Sequence, residues 1–472
     1  MSGAITLRPY QDLAIAGLRE AFRTRFRAPL LVLPTAGGKT IVFSFIAAET
    51  ARKGKRVLIL AHRRELIRQA SRKLGEAGVM HGIIAPGFSP TRDLVQVASV
   101  QTLARRLADL PAFDLIVIDE AHHATAGQWA RIIAAQPSAL ILGVTATPER
   151  LDGKGLGIKA GGCFDRIVVG PTMAELIDGG FLSPVRVYAP AEAPDLQGVR
   201  VKVGDYDAAA LDDAMNVATV TGDAVAHYRR HADGLPAIAF CISVRHAQDV
   251  ATTFRGAGYR AVCGHGGMST GDRDAAIGGL ETGRVQVLTT CDLVSEGLDV
   301  PAVGAVILLR PTKSLGLFLQ QVGRGLRVAE GKPHLVVLDH AGNTIAHGMP
   351  DAPREWSLDG RPRREAAPAT WRCPECMAVQ RPAPVCVACG FVVPVDVEDE
   401  EREARQVTQV DGELQEVDRA RINALRAAPL RDLLATAQTR AELAEIARAR
   451  GFKPGWAWHV MRDRAARGGV AA

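Results

Sequence analysis

Hydrophobic positions in the first 145 residues come in short runs rather than long stripes. Leu30–Leu33, Val57–Leu60, Val95–Ala98, Leu115–Ile118 and Ala139–Val144 are almost wholly apolar, and the segments between them are mostly of helix length. Such runs predict strands buried on both faces, as in a parallel sheet made of strand–helix–strand units. A polar, chemically unusual stretch follows each run, at the carboxyl end where parallel sheets bind ligands. The pattern restarts at Ala237–Ile242 and continues through Arg260–Cys263, Val285–Leu288, Ala305–Leu309 and Leu335–Leu338. Two α/β lobes in tandem are therefore expected, over residues 1–182 and 214–345. Residues 183–213, rich in Pro, Ala, Gly and Asp, read as the linker between them. A second linker, Pro- and Arg-rich, is expected over 346–370. Leu425, Leu430, Leu433, Leu434, Leu443, Ile446 and Ala447 recur at three- and four-residue steps, which predicts a helical region over 415–467. The order of strands in each sheet does not follow from the pattern.

Composition adds limits. A chain of 472 residues, 47% hydrophobic and 23% charged, is long enough for several ordinary globular domains. No apolar run is long enough to span a bilayer, and Met1–Tyr10 lacks a signal pattern, so a cytoplasmic protein without membrane contact is expected. The net charge of +6 is compatible with a polyanionic partner but does not demand one. Glu398–Glu403 reads as a solvated acidic linker, whereas 415–467 carries 11 Lys/Arg against 6 Asp/Glu. Of the eight cysteines, Cys163, Cys241, Cys263 and Cys291 are scattered in apolar segments and read as small core residues. The other four form two C-x-x-C pairs.

Candidate chemistry begins after the first run. Pro34-Thr35-Ala36-Gly37-Gly38-Lys39-Thr40 lies between a predicted strand and a predicted helix. A glycine-rich turn there points backbone N–H groups and a helix N-terminus at phosphate oxygens. Lys39 would meet the β- and γ-phosphates and the Thr40 hydroxyl would bind Mg²⁺. The full phosphate-loop pattern has a glycine where Leu33 stands, so a loop with a chance G-K-T is the alternative. After the fourth run come Asp119 and Glu120, suited to hold Mg²⁺ and to orient or deprotonate an attacking water. An exposed Asp-Glu turn is the bland reading, but it leaves the coincidence with Lys39 unexplained.

Asp119-Glu120-Ala121-His122 resembles the box of the DEAD/DEAH group in helicase superfamily 2, and further motifs follow in that family's order over residues 5–345. The resemblance implies two RecA-like lobes and ATP hydrolysis with Mg²⁺. It assigns Arg8 and Gln11 of Leu7–Gln11 to the adenine-reading element, and Pro34–Thr40 to phosphate binding. Ala61–Leu66 and Ser99–Leu103 look like strand-contacting motifs, with Arg63, Arg64 and Thr102 as contacts. His122, Thr145 and Thr147 match positions that couple hydrolysis to movement. In the second lobe, Ala239–Ser243 and Gly264–Gly266 fit the next motifs, and His265 becomes a strand contact. Ser295–Asp299 fits the following one, with Gly297 and Asp299 facing the nucleotide. Gln320-Gln321-Val322-Gly323-Arg324-Gly325-Leu326-Arg327 is the last, and it places Gln320, Arg324 and Arg327 in the catalytic set with the two arginines as fingers. A RadD-like bacterial branch and prophage-type helicases of this superfamily are the nearest resemblances.

Cys373-Pro374-Glu375-Cys376 and Cys386-Val387-Ala388-Cys389 give C-x₂-C-x₉-C-x₂-C, the ligand spacing of a closed structural zinc site over 371–392. Nucleic acid is its favoured contact, with a protein partner as the alternative. Trp456 and Trp458 could serve the strand or simply pack a small helical core. The expected function is an ATP-dependent helicase or translocase acting on DNA. An RNA helicase of the same motor type and a nucleotide-dependent clamp are the competing readings.

Overall fold

A computed structural model describes residues 5–124, 127–150, 152–189, 196, 199–202, 204–214, 217–291, 300–360, 370–392, 425, 428–437, 439–450, 452, 456–457 and 460–461. The chain falls into two compact units, 1–393 and 394–472.

The first lobe holds strands β1 (Pro29–Val32), β2 (Val57–Ala61), β3 (His81–Ile84), β4 (Val95–Ser99), β5 (Leu115–Asp119), β6 (Leu140–Thr145) and β7 (Arg166–Val169). Its helices are α1 (Pro9–Arg23), α2 (Lys39–Arg52), α3 (Arg64–Glu76), α4 (Val100–Leu103), α5 (Gln128–Ala134) and α6 (Met173–Asp178). The seven strands form one parallel sheet in the order β3-β4-β2-β5-β6-β1-β7. Period two divides each apolar run between two cores. Val57 and Ile59 face one side with Leu31 and Val117, while Leu58 and Leu60 face the other with Leu30 and Ile116. Burial on both faces is what makes the runs continuous instead of alternating.

The second lobe contains β8 (Val185–Tyr188), the hairpin β9 (Val201–Lys202) and β10 (Asp205–Tyr206), β11 (Ala237–Phe240), β12 (Ala261–Gly264), β13 (Val287–Thr290), β14 (Ala305–Leu308) and β15 (Leu335–Asp339), followed by β16 (Trp371–Arg372) and β17 (Ala378–Gln380). Its helices are α7 (Ala208–Ala214), α8 (Val217–His231), α9 (Val244–Gly256), α10 (Thr270–Glu281), α11 (Leu315–Gly323) and α12 (Asn343–His347). Six parallel strands run β12-β13-β11-β14-β15-β8, and β17 and β16 extend them antiparallel. Both lobes are RecA-like α/β layers.

Three expectations change. Residues 183–213 are not a plain linker. β8 pairs with β15 inside the second sheet, and Asp205 of the hairpin accepts from Thr312 Oγ1 (2.9 Å) and the Lys313 amide (2.8 Å). Residues 346–370 also do more than connect: Trp356 and Leu358 pack on the first lobe's core, and Gly157 donates its amide to Leu358 O at 2.9 Å. Glycine is required where this strap passes, because a Cβ at Gly155 would lie 1.9 Å from Leu358 O. Finally, β3, β7 and β8 were absent from the sequence pattern, being short and placed near sheet edges or at a lobe junction where apolar runs shorten. The acidic stretch 398–403 lies outside the described residues.

In the second unit, helices Leu430–Thr436 and Arg440–Arg450 pack around Ala437, Leu443, Ile446 and Ala457. Trp456 joins this cluster, with its ring 4.7 Å from that of Phe452, so it serves core packing. Trp458 is outside the described residues. No described helix is long and apolar enough to cross a membrane.

Candidate nucleotide site and zinc centre

The chain leaves β1 at Val32 and turns through Leu33–Gly38 into α2. Ala36 (φ 65°) and Gly38 (φ 82°) adopt left-handed conformations, which lift the loop over the first turn of a 14-residue helix. Gly38 suits its φ of 82°, and a Cβ there would meet the Gln11 amide at 2.4 Å and push that side chain aside. The Gly37 carbonyl accepts from Tyr10 OH (3.1 Å) and Gln11 Nε2 (3.3 Å), while Gln11 Oε1 accepts from the Arg8 amide (3.0 Å). The head of α1 thus supports the loop from behind. The first residues of α2, Lys39, Thr40 and Ile41, line the cleft, and the free amides of a helix N-terminus suit a phosphate.

β5 ends beside it. Asp119 Oδ1 accepts the Glu120 amide at 2.9 Å, and Glu120 sits at φ 46°, a strained conformation that aims its side chain back toward the loop. Lys39 Nζ lies 4.0 Å from Glu120 Oε1, and both side chains are largely buried. His122 Nδ1 lies 3.5 Å from Glu120 Oε2 and 3.0 Å from Thr145 Oγ1. Thr145 Oγ1 in turn donates to Thr147 O (3.0 Å). One polar chain therefore runs from Glu120 through His122 to Thr147 at the end of β6.

The second lobe closes the cleft. A cavity of about 620 Å³ is lined from the first lobe by Arg8, Gln11, Lys39, Thr40, Asp119 and Glu120. Gly323, Arg324 and Arg327 line it from the second lobe. Thr35, Ala36 and Gly38 belong to the same wall; Pro34 and Gly37 lie behind it. Gly323 abuts the phosphate loop so closely that a Cβ would be 2.1 Å from Thr35 Cγ2. Burial and the nearby positive charge of Arg72 hold the Arg327 guanidinium down at about 10. Gln320 is buried in α11 and does not line the cavity. Gly297 and Asp299 lie outside the described residues.

The family model for the res subunit of type III restriction enzymes matches residues 4–150, and that for the helicase conserved C-terminal domain matches 221–329. A 51.5 kDa protein of a Lactococcus phage is 33% identical over 398 residues, covering 83% of each chain. The candidate ATP-dependent helicase IRC3 of Saccharomyces cerevisiae is 30% identical over 372 residues, 74% of this chain and 53% of its own length. The chain belongs to the DEAD/DEAH-box helicases of superfamily 2. Among solved structures, a fragment of a candidate HsdR subunit of a type I restriction enzyme from Vibrio vulnificus aligns with a TM-score of 0.56 at 24% identity. The alignment covers 75% of this chain and 67% of that one, a likeness of fold.

The helicase carries its four remaining candidate strand contacts at carboxyl ends of strands. Arg63 and Arg64 follow β2 and are exposed, Thr102 follows β4, and His265 follows β12. Gln101 Nε2 donates to His62 O at 3.0 Å and ties the β2 and β4 loops together.

One residue of this helicase has no motif to announce it. Lys332, between α11 and β15, donates from Nζ to the carbonyls of Gly325 (2.5 Å), Arg327 (2.6 Å) and Pro301 (3.3 Å). It thereby fixes the loop that carries Arg327. Burial, with the Arg327 charge beside it, holds Lys332 at about 8.

At the far edge of the second sheet, the Sγ atoms of Cys373, Cys376, Cys386 and Cys389 all lie within 4.8 Å of one another. Cys373–Cys389 and Cys376–Cys386 are each 3.7 Å apart. Thiolates at the corners of a tetrahedron with bonds of about 2.3 Å to zinc would be about 3.8 Å apart, so the donor set fits that ion. The two turns repeat one backbone design. Cys373 O accepts from Met377 N and Cys386 O from Gly390 N, at 3.0 and 2.8 Å. Met377 and Gly390 both have positive φ, 63° and 77°. The module is not a free knuckle on a linker: β17 pairs with β8, Ala378 opposite Tyr188.

Among the other cysteines, Cys241 is buried and Cys163, Cys263 and Cys291 are half-buried. Burial pushes the Cys163 thiol up to about 12.

Proposed function

We propose that this superfamily 2 motor acts on DNA, translocating along or separating strands as its two lobes close on ATP and part after hydrolysis. The observation that carries the reading is the shared cavity, with Lys39 and Glu120 on one lobe and Arg324 and Arg327 on the other. ATP supplies the phosphoanhydride bond and Mg²⁺ neutralises its charge. The amides around Gly38 and the Lys39 ammonium would hold the phosphates, while Thr40 and Asp119 would hold the metal. Gln11 would read the adenine, and Glu120 would orient the water for in-line attack. Arg324 and Arg327 would stabilise charge on the transferring group, so hydrolysis demands lobe closure. Arg63, Arg64, Thr102 and His265 would grip the phosphodiester backbone, giving affinity without sequence preference. Zinc in the four-cysteine centre would be structural, since four thiolates leave no open position.

DNA is favoured because the first lobe matches a restriction-enzyme subunit family. The test is steady-state ATPase of wild type and Glu120→Gln without polymer, and with single-stranded DNA, forked DNA or RNA. Stimulation by DNA that vanishes in Glu120→Gln is expected. Stimulation by RNA alone would overturn the DNA assignment, and nucleotide binding without hydrolysis under every condition would overturn the motor.

A further inference from the structure

A second cavity, of about 190 Å³, lies where the cysteine module meets the second lobe, at the carboxyl ends of β8 and β15. Its walls carry Arg230, His227 and His231 from α8, His340 from the end of β15, and Arg372 and Met377 from the module. Arg230 and His227 are exposed at its mouth, and Arg372 is half-buried. Arg372 donates from Nη2 to Met377 Sδ at 2.8 Å, a weak acceptor for a guanidinium, and its Nε is buried with no hydrogen-bond partner. Among the described residues no carboxylate pairs with Arg372 or Arg230. The one acid in the wall, Asp339, is occupied: it accepts the amides of Ala341 (3.2 Å), Asn343 (3.1 Å) and Thr344 (2.6 Å). Two histidine rings, His227 and His340, lie 5.1 Å apart across the cavity, and His231 stacks on Tyr188 at 4.0 Å. Burial and neighbouring His227 hold His340 down at about 4, so its ring is neutral at pH 7 and serves as a hydrogen-bonding wall rather than a third charge.

Two guanidinium groups without counter-ions among the described residues, half-buried Arg372 and exposed Arg230 at the mouth of a pocket too small for a nucleotide, fit one tetrahedral oxyanion. We propose that this cavity binds a phosphate group of the nucleic-acid strand, a backbone contact formed jointly by α8 of the second lobe and the cysteine module. The assignment to a strand rests on the motor reading above. It has its own topological support. The six strands β12 to β8 are parallel, so their carboxyl ends share one edge of the lobe, with His265 after β12 and this cavity after β15 and β8. Four strand spacings of about 4.8 Å separate β12 from β15, roughly 19 Å. A stacked strand rising about 3.4 Å per nucleotide covers that span with about six nucleotides. The cysteine module, on this proposal, carries Arg372 to the edge where the strand leaves the lobe.

The test is fluorescence anisotropy of a labelled single-stranded oligonucleotide of about 20 nucleotides over a salt series, with wild type, Arg230→Gln, Arg230→Lys and Arg372→Gln. Arg230 lies on α8, away from the cysteines, so its variant reports on the cavity even if Arg372→Gln disturbs the module; zinc content is measured for each. Weaker binding is expected for both glutamine variants, with the slope of log Kd against log salt reduced by about one. Arg230→Lys should recover most of the affinity, and polymer-free ATPase should be unchanged. Wild-type affinity and slope in both glutamine variants would overturn the proposal while leaving the motor intact. A wild-type protein that binds no polymer would overturn the motor reading and the strand assignment together. Inorganic phosphate titrated in the same variants separates the sources. Phosphate binding that depends on Arg230, with oligonucleotide binding indifferent to it, would make this a free-phosphate site and refute the strand contact.

Discussion

Replacing Lys332 with methionine isolates the support of the arginine-bearing loop from the arginine itself. The substitution keeps most of the side-chain volume and deletes an ammonium that three carbonyls share, those of Gly325, Arg327 and Pro301. Hydrogen bonds to a charged group contribute about 1.5–3 kcal/mol each, but methionine also removes the cost of burying that charge, so the net loss of stability should be only about 1–3 kcal/mol. The catalytic loss should be larger. An arginine finger is worth on the order of 10³–10⁵ in rate, and a misplacement of about 1 Å can cost roughly 10²-fold. A folded Lys332→Met protein should therefore show kcat lowered about 100-fold, ATP affinity nearly unchanged, and less loss than Arg327→Ala. A melting curve confirms folding, and polymer-stimulated ATPase gives kcat and KM. A well-folded variant with kcat within about threefold of wild type would refute the positioning role. The pH dependence provides a second arm. The unfolded chain keeps this proton to about 10.5, whereas the folded protein releases it near 8. Between those values the unfolded state binds more protons, so the lysine's contribution to stability rises with pH. Activity should fall over the same window, as the amine loses a donor. Relative to Lys332→Met, wild type should thus grow more stable and less active above pH 8; a parallel fall in both would mean simple unfolding.

Two further changes probe the cleft and the metal centre. Gly323→Ala places a Cβ 2.1 Å from Thr35 Cγ2, and Thr35 is β-branched and cannot easily swing away. Stimulated ATPase should fall by at least about tenfold with nucleotide still bound, and normal turnover would show that the lobes need not approach this closely. Cys376→Ser should lower the bound metal from about one zinc per chain and, by loosening β17 from β8, reduce the thermal stability of the second lobe. Loss of zinc with an unchanged melting curve would show that the strand pairing stands without the ion.

The sequence was most informative where one physical demand fixes several neighbouring residues. Strands buried on both faces require continuous apolar runs, and the central strands β2, β4, β5, β11 and β14 lie where those runs stand. The loop before α2 turns through a left-handed φ at Gly38, which glycine suits, and this left a readable signature even though Leu33 departs from the usual pattern. Leu33 is fully buried at the end of β1, so the glycine turn begins only after it. Legibility failed where the decisive partner is remote in sequence. Nothing near Val185 signals a strand, because its partners are Leu335 on one side and the cysteine module on the other. Asp205 meets Thr312, and Trp356 meets the first lobe, across separations that no local pattern encodes. Lys332 is a different case: Gly325 and Arg327 are near it in sequence, but a lysine that meets backbone carbonyls leaves no side-chain motif to read.

These remote contacts explain how chemistry in the cleft could reach the strand. α11 touches the first lobe near both its ends: Gly323 at its C-terminus abuts Thr35 of the phosphate loop, and a Cβ at Gly316 near its N-terminus would lie 2.9 Å from Thr147 Oγ1. Thr35 belongs to the loop that would hold phosphate, and Thr147 ends the polar chain that begins at Glu120. A helix held at two points by groups on one reaction path cannot follow one without the other. A shift of Thr35 or of Thr147 would therefore press on α11, which ends immediately before Arg324. Packed interfaces of this kind switch between discrete arrangements rather than deforming smoothly. The lobes should therefore open as nearly rigid bodies, with Trp356 and Leu358 of the strap limiting how far they part.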